Sequence, residues 1–500
     1  MRWSWCRRRR ASRPPRRCCS ALTAASAARS VRPLRAFLVE REGLIAFLLA
    51  LVYLVTFGTL SVLRHESYHS SGFDLGLFDQ VLWNTVHGRP FESTMSEALP
   101  VPHSLLGDHF SIALLVLAPF YYGFPHPETL LVGQSVALTL GAWPVFLLAR
   151  LKLAPGFALV WVIVYFLFLP LTYINLDDFH EVSLAVAPLG FALYYLETRR
   201  TWPFLVCLLF TFLIKEEMPL VAVGFGAYVL LGKRDWKLGS GVIAAGLLSF
   251  FALISQVIPY FAEGRSYPYI AERYGAVGGS AAGIVRTFVT DPARIIASVF
   301  QPKKILFLFG IFGPVAGLSW VSGWAALVLL PTLGYLLLSS YEPQFSFTSQ
   351  YSAPLVPLVI GTAILGLARA PIRFQPALAT VMVVSSLAFS WAFGYMPYSR
   401  KFDAGQFRTD TRYAAFVPKL SVIAPDARVS AETGLTSHLS ERRYVYDYQF
   451  EGVQDAEWVV LDYEESAFSL ERFDRQVAAV EAMGYVGVAQ GYGLALLRKS

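Results

Sequence analysis

Apolar runs long enough to cross a lipid bilayer recur between Gly43 and Pro397, and they constrain the fold of this chain more than any other feature. A transmembrane helix needs about 20 apolar residues, because the hydrocarbon core is ~30 Å thick and backbone polar groups inside it must bond internally. The chain is 55% hydrophobic and 15% charged, whereas a soluble protein carries roughly 25% charged residues. The sequence therefore predicts an α-helical polytopic membrane protein.

The hydropathy pattern predicts about eleven spans. They are expected at about Gly43–Leu63, Glu128–Ala149, Gly156–Ile174, Val182–Leu196, Trp202–Ile214, Met218–Leu231, Gly239–Pro259, Ile305–Leu318, Val321–Leu338, Ala353–Leu367 and Ala377–Met396. Phe110–Tyr122 is apolar but too short to span, and it is expected to form an interfacial or re-entrant helix. Three parts follow: a basic, disordered cytoplasmic tail (residues 1–42), a transmembrane domain (43–397) with an outer loop at 64–109, and an extracytoplasmic α/β domain (398–500).

The C-terminal region has the alternation and turn residues of a small α/β unit. Strands are predicted at Ala427–Ser430, Tyr444–Tyr446 and Trp458–Leu461, a helix at Leu470–Met483, and a closing pair of strands within Tyr485–Leu497.

The distribution of basic residues predicts the orientation of the chain. Residues 1–35 contain 11 Arg and no acidic residue, and Lys/Arg-rich segments stay on the cytoplasmic side. With this tail inside, the basic loops 150–152, 199–202, 233–237 and 368–373 also fall inside, with Lys303 and Lys304 as the main exception. We therefore expect a multi-pass protein of the cell membrane, with a cytoplasmic N-terminus and the C-terminal domain outside.

Other function classes are disfavoured. Without the tail, 31 Lys and Arg face 35 Asp and Glu, so the net charge of +7 does not indicate a nucleic-acid-binding surface. Cys6, Cys18, Cys19 and Cys207 form no disulfide or zinc pattern. His65-Glu66-Ser67-Tyr68-His69 matches the H-E-x-x-H pattern of zinc proteases, but Ser70-Ser71-Gly72 follow at once and oppose the stable helix that such a site needs.

Acidic groups mark the ends of the apolar segments, and by this topology they share the outer face. They are Asp74 and Asp79, Asp108 with His109, Asp177 and Asp178 with His180 and Glu181, and Lys215 with Glu216 and Glu217. Carboxylates at such places can act as a general base or hold a divalent cation against a phosphate leaving group, and a lysine can bind that phosphate. The structural alternatives are that Asp79 caps a helix from Gln80, that Asp108 caps one from Phe110, and that Lys215 pairs with Glu216.

The same motifs support a resemblance to a known family. Phe73-Asp74-Leu75-Gly76-Leu77-Phe78-Asp79-Gln80, Gly107-Asp108-His109-Phe110-Ser111, Asp178-Phe179-His180-Glu181 and Lys215-Glu216-Glu217 occur in this order. The sequence resembles the prokaryotic polytopic membrane proteins of domain-of-unknown-function family 2079 over about residues 44–465. Family members often have a His-Tyr pair before the tenth span, where this chain has Gln350-Tyr351.

That family is distantly similar to the GT-C class of membrane glycosyltransferases, which carry an acidic residue in the first outer loop and use lipid-phosphate-linked sugars. The resemblance implies a GT-C-like fold and transfer of a sugar from a polyprenyl-phosphate donor to an extracytoplasmic acceptor. Asp74 and Asp79 are then the expected catalytic residues. The residues expected to bind substrate are Asp108, His109, Asp178, His180, Glu181, Lys215 and Glu216. A divalent cation is a possible cofactor. The alternatives are a transporter or lipid flippase without covalent chemistry, and a membrane scaffold with an outer binding domain.

Overall fold

The computed structural model describes residues 40–96, 99–463 and 469–500. The predicted basic tail therefore lies almost wholly outside the described residues. Within them, six helices are long and apolar enough to cross a membrane: Glu42–Glu66, Pro127–Lys152, Trp236–Phe261, Leu318–Leu338, Gln350–Arg369 and Gln375–Phe393. Two bent pairs raise the number to eight if each is one span, namely Phe157–Leu167 with Leu169–Leu176 and Pro292–Val299 with Pro302–Phe312.

Shorter helices complete the helical part of the chain. The apolar ones are Thr201–Thr211 and Met218–Lys233, and Val186–Glu197 lies between the bent pair and the first of them. A multi-pass, mainly helical membrane protein is thus confirmed, whereas the count of eleven spans stays a prediction.

The helices differ in how they are surrounded, as expected for a bundle in lipid. The helix Gln350–Arg369 lies at the centre, because 89% of its most apolar stretch is buried within the protein. In Glu42–Glu66 only 22% of the corresponding stretch is buried. The outward side chains of this outer helix are nevertheless apolar, since Phe47 and Val52 are 59% and 64% exposed. Lipid tails solvate such side chains, so this pattern fits a bilayer.

Ion pairs bring the predicted basic loops 150–152 and 233–237 to one face of the bundle. The Glu197 carboxylate contacts Lys233 at 2.6 Å and also binds Lys152, and Arg150 lies 3.8 Å from Glu42. The outer loop and the C-terminal domain lie together at the opposite ends of these helices. Which of the two faces is cytoplasmic stays a prediction.

The C-terminal domain contains a five-stranded sheet. Its strands are β3 Val429–Ala431, β4 Val445–Asp447, β5 Trp458–Asp462, β6 Tyr485–Gly491 and β7 Leu494–Lys499, with the helix Leu470–Ala482 before β6. Their order in the sheet is β4-β3-β5-β7-β6. β3 runs parallel to β4 and β5, and the remaining pairs are antiparallel. The predicted elements are present within a few residues of their predicted bounds.

The outer loop and this domain share one hydrophobic core. Leu75 and Phe78 of the loop pack in the same buried cluster as Val429, Val445 and Leu496 of the sheet. The loop also contains a small hairpin of β1 Glu92–Ser93 and β2 His103–Ser104. The Thr94 hydroxyl next to β1 donates to the Val445 carbonyl at 2.6 Å and accepts from the Val445 amide at 3.1 Å. Loop and domain therefore form one packed outer unit, which fixes the segment that carries Asp74.

Candidate active site

A polar cavity of about 490 Å³ lies where the outer loop, the helix ends and the C-terminal half of the chain meet. Among the predicted site residues, it is lined by Asp74, Asp108, His109, His180, Glu181 and Lys215. They come from four separate segments, so the tertiary fold brings together the acidic groups that the sequence placed at successive helix ends.

Asp74 and His180 form a hydrogen-bonded pair at the cavity wall. Asp74 lies in a π-helical turn, Gly72–Gly76, whose first amides are capped by the Ser71 hydroxyl. Its Oδ1 is 3.2 Å from His180 Nε2; the Asp74 side chain is 43% exposed to the cavity and that of His180 only 5%. Burial alone would raise the pKa of Asp74, but the charge and hydrogen bond of His180 lower it below its usual value. The same pairing outweighs burial at His180 and raises its pKa to about 9, so the pair is ionised at neutral pH.

A buried ion pair forms a second part of the wall. Lys215 Nζ lies 2.8 Å from Glu181 Oε1, with side chains 6% and 1% exposed. Burial opposes the charge on Lys215, yet Glu181 and the neighbouring acids raise the pKa of the amine above its usual range. Glu181 Oε2 is buried and has no hydrogen-bond partner among the described residues. Lys215 thus pairs with Glu181 and not with Glu216.

Glu216 organises the loops around the cavity. Its carboxylate lies 3.0 Å from His109 Nδ1 and accepts hydrogen bonds from the Phe110 amide at 3.1 Å and the Tyr267 hydroxyl at 2.6 Å. Burial would raise the pKa of Glu216, but His109 and Lys215 lower it well below its usual value. With all these donors on it, Glu216 is a charged anchor for two loops.

Asp108 and His109 position a tyrosine of the 260–304 loop. The Tyr269 hydroxyl donates to Asp108 Oδ1 at 2.7 Å, and the His109 ring stacks on the Tyr269 ring at 5.4 Å. Asp108 caps no helix at Phe110, because the next helical turn begins only at Ile112. These contacts place Tyr269 at the boundary of the polar cavity.

Arg273 is the cation that the sequence analysis missed. Its guanidinium carbon lies 4.4, 4.9 and 5.5 Å from the ring centroids of Tyr269, Tyr341 and Tyr351. No carboxylate of the described residues lies within 4.0 Å of it. Cation–π contacts hold the arginine without neutralising its charge, so it remains available to an anion. Three tyrosines in the segment 267–274, interspersed with this arginine, were the sequence signal for it.

An apolar groove of about 350 Å³ adjoins the cavity at Arg273 and Tyr269, and we call it the Arg273 groove. Leu220, Phe250 and Leu338 are among the apolar side chains that line it. Part of its wall comes from residues 269–290, which the sequence pattern assigned to a loop and which form the helices Tyr269–Tyr274 and Ala281–Thr290. The polar cavity and the Arg273 groove thus meet at Arg273 and Tyr269, which line both.

Asp79 does not line the cavity. It is 0% exposed, and its two carboxyl oxygens accept hydrogen bonds from the hydroxyls of Tyr121 and Ser440, each at 2.6 Å. The helix that contains it begins at Leu77, so Asp79 lies in the first turn and does not cap it. Burial raises the pKa of Asp79 well above its usual range. Asp79 thus links the outer loop to the C-terminal domain through its hydrogen bonds.

Asp178 is also directed away from the cavity, whereas its neighbour Asp177 lines it. Asp178 forms an ion pair with Arg64 at 2.7 Å and accepts the Ser71 amide at 2.7 Å, so it holds the turn before Asp74. Burial, with the negative charges of Asp178 and Asp74, raises the pKa of Asp177 to about 6 although His180 opposes it. Asp178, the predicted site residue, thus anchors the turn before Asp74, and its neighbour Asp177 lines the cavity.

Metal binding at this site rests on few ligands. Among the described residues, no group of three or more His, Cys, Asp or Glu side chains is arranged to hold a metal ion. The Asp74, Asp108 and Asp177 carboxylates are the acidic groups of the cavity that lack a lysine or arginine partner among the described residues, and Asp108 already accepts the Tyr269 hydroxyl. A cation held by one or two carboxylates would need further oxygens from a substrate.

Comparison with known proteins assigns the chain to a family. The model of the predicted membrane protein family DUF2079 matches residues 64–494, and the chain belongs to this family. No curated protein matches the sequence.

The fold has solved neighbours of the GT-C class at low sequence identity. ArnT from Cupriavidus metallidurans bound to undecaprenyl phosphate superposes with a TM-score of 0.55 at 13% identity, over 91% of this chain and 97% of ArnT. Its apo form gives 0.52 at 12% identity, over 92% and 98%. An oligosaccharyltransferase from Archaeoglobus fulgidus in complex with Zn and sulfate gives 0.44 at 12% identity, over 88% and 71%. The ArnT superpositions confirm the GT-C-like fold that the motifs predicted.

Proposed function

We propose that this DUF2079 protein is an integral-membrane glycosyltransferase that moves a sugar from a polyprenyl-phosphate donor to an extracytoplasmic acceptor. The observation that carries the proposal is the junction of the polar cavity with the Arg273 groove. A polyprenyl phosphate has the same division, with a charged phosphate between a polar sugar and an apolar chain. That ArnT, which shares the fold, binds undecaprenyl phosphate supports this choice of donor.

Arg273 is proposed to bind the donor phosphate. It lies at the junction, and a guanidinium can bind two phosphate oxygens at once. The Lys215 charge is already neutralised by Glu181, so it contributes positive potential without being the primary phosphate ligand. The prenyl chain then lies along Leu220, Phe250 and Leu338, and the sugar enters the cavity towards Asp74.

Asp74 is proposed to act as the general base. Its partly exposed carboxylate accepts the proton of an acceptor hydroxyl while that oxygen attacks C1 of the sugar. The bond between C1 and the phosphate oxygen breaks, and the polyprenyl phosphate leaves with the bonding electron pair beside Arg273. His180 holds Asp74 in its ionised form and fixes its orientation. Asp79 has no part in this step, because it is buried among hydroxyl partners.

A divalent cation remains a possible cofactor. Asp74 and Asp177 are the residues that would hold it, together with donor phosphate oxygens, as Mg²⁺ sites with one or two carboxylates often do. Such an ion would neutralise charge on the leaving phosphate.

The test compares two arginines of the same loop. In purified protein reconstituted in vesicles with a polyprenyl-phosphate sugar, Arg273→Met is expected to weaken donor binding by about 10-fold or more, as for the loss of a charge-assisted contact of ~1.5–3 kcal/mol. Arg286→Met, which removes the same charge from an exposed side chain that lines neither cavity, is expected to leave binding unchanged. Equal effects of both variants would contradict the phosphate site.

The outcome also separates the enzyme from the transporter. A glycosyltransferase forms a new glycosidic product, and Asp74→Asn removes it while donor binding persists. If the wild-type protein instead moves the intact lipid-linked sugar across the bilayer, and Asp74→Asn has no effect, the glycosyltransferase proposal is wrong.

A further inference from the structure

A second, larger apolar groove of about 850 Å³ lies on another flank of the protein. Among the described residues it shares none with the polar cavity or the Arg273 groove. One wall is a single face of the helix Pro127–Leu140, since Glu128, Val132, Val136 and Leu140 follow at four-residue spacing. We call it the Glu128 groove.

The length of the Glu128 groove matches a lipid acyl chain. From Glu128 to Leu140 it extends over 12 helical steps, about 18 Å at 1.5 Å per residue. That is close to one leaflet, about half of the ~30 Å hydrocarbon core.

The chemistry of the two ends differs. The deep end is lined by apolar side chains such as Phe191 and Val206. At the mouth, the Glu128 Oε2 atom is buried and has no hydrogen-bond partner among the described residues. Phe120 and Phe124, 68% and 56% exposed, flank the same mouth. A buried carboxylate oxygen needs a donor, and aromatic faces beside it favour a cation.

We propose that the Glu128 groove binds one membrane lipid, whose acyl chain fills the groove and whose headgroup carries an ammonium that pairs with Glu128. The ammonium pairs with the Glu128 carboxylate, which lines the mouth, and lies against the two phenylalanine rings. This site does not depend on the glycosyltransferase proposal, because it shares no described residue with the cavity that carries that proposal.

The experiment measures lipid retention by the full-length protein. The protein is placed in nanodiscs with equal amounts of phosphatidylethanolamine and phosphatidylglycerol, and retained lipids are counted by native mass spectrometry. The wild type is expected to retain one phosphatidylethanolamine with a preference of roughly fivefold or more, which corresponds to about 1 kcal/mol. Glu128→Gln removes the charge and keeps the apolar walls, so lipid is retained without headgroup preference.

Groove-filling variants test the acyl-chain site. Ala187→Phe places a ring in the groove and is expected to abolish retention, whereas Ala388→Phe makes the same change at a lipid-facing alanine outside it and is expected to have no effect. Gly133→Val is a second filling variant, because its Cβ meets only the flexible end of Leu117 at 3.0 Å. Retention of lipid by both filling variants, a preference for phosphatidylglycerol, or an unchanged preference in Glu128→Gln would each overturn the proposal.

Discussion

Replacing Asp79 by alanine is expected to destabilise the outer unit strongly, whereas replacing it by asparagine is expected to have little effect on stability or activity. The carboxyl of Asp79 joins Tyr121 of the short helix Ala118–Gly123 to Ser440 of the C-terminal domain. Both hydrogen bonds are 2.6 Å long, and Asp79 is not exposed to solvent. Alanine removes the acceptor of both hydroxyls at once. Asparagine keeps the shape, because its amide can accept from one hydroxyl and donate to the other.

The magnitude follows from these two contacts. The buried Tyr121 hydroxyl loses its acceptor at a cost of ~1–3 kcal/mol, whereas the Ser440 hydroxyl keeps the Ser437 carbonyl as an acceptor at 2.9 Å. Asp79→Ala is therefore expected to lose roughly 1–3 kcal/mol. One kcal/mol moves the melting temperature by ~2–4 °C in a domain of 150–250 residues. Because burial raises the pKa of Asp79, the folded state keeps the proton to a higher pH than the unfolded chain. The wild type should therefore lose stability relative to Asp79→Asn as pH rises above the usual carboxyl range.

The assay is thermal unfolding of the full-length protein in detergent, with Asp74→Asn as the matched control from the same loop. Asp74 is partly exposed, so its asparagine variant should melt close to the wild type while losing ~10²–10⁴ in transfer rate. An Asp79→Asn variant that melts normally but transfers no sugar would refute the structural assignment and return Asp79 to the chemistry.

Four further results are expected. Activity should fall as pH rises through about 9, because His180 loses its proton there. The variant His180→Asn should lack this decrease at high pH and should be as stable in detergent as the wild type. A decrease that persists in the variant would contradict the pairing with Asp74. Breaking the buried ion pair with Lys215→Met or Glu181→Gln should each cost ~3–5 kcal/mol, and the double variant should recover part of the loss; additive melting shifts would argue against it. Chelation of divalent cations should slow transfer, with rescue by Mg²⁺, if the two cavity carboxylates hold a metal; full activity after chelation would exclude that role. A fluorescent protein that matures only in the cytosol should stay dark when fused at Ser500, and a bright fusion would reverse the predicted orientation.

The sequence was sufficient to predict that the acidic groups lie close together, but it was not sufficient to predict the direction of each side chain. Helix ends at one face of a bundle must lie close together, so the proximity of Asp74, His180 and Lys215 follows from topology alone. The direction of Asp79 is set by Ser440, which is 361 residues away in the chain, and no local pattern contains that information.

Arg273 was missed for a different reason. It lies in the 260–304 segment, whose glycines and prolines predict an irregular loop, yet part of this segment folds into short helices against the cavity. Its proposed role as a phosphate ligand depends on two features: it has no carboxylate partner among the described residues, and aromatic rings surround its guanidinium. Only the three-dimensional structure can show that aromatic rings surround a cation while no carboxylate neutralises its charge.

The shared core of the outer loop and the C-terminal domain has a consequence for biosynthesis. Gln80 and Thr94 emerge from the ribosome early, but their partners Arg443 and Val445 lie 363 and 351 residues later. At ~5–20 residues per second, the loop waits roughly 20–70 s for the strands that complete its core. The Asp74 turn can therefore reach its final geometry only when synthesis is nearly finished. An interrupted chain would insert its helices in the membrane yet remain without an assembled site.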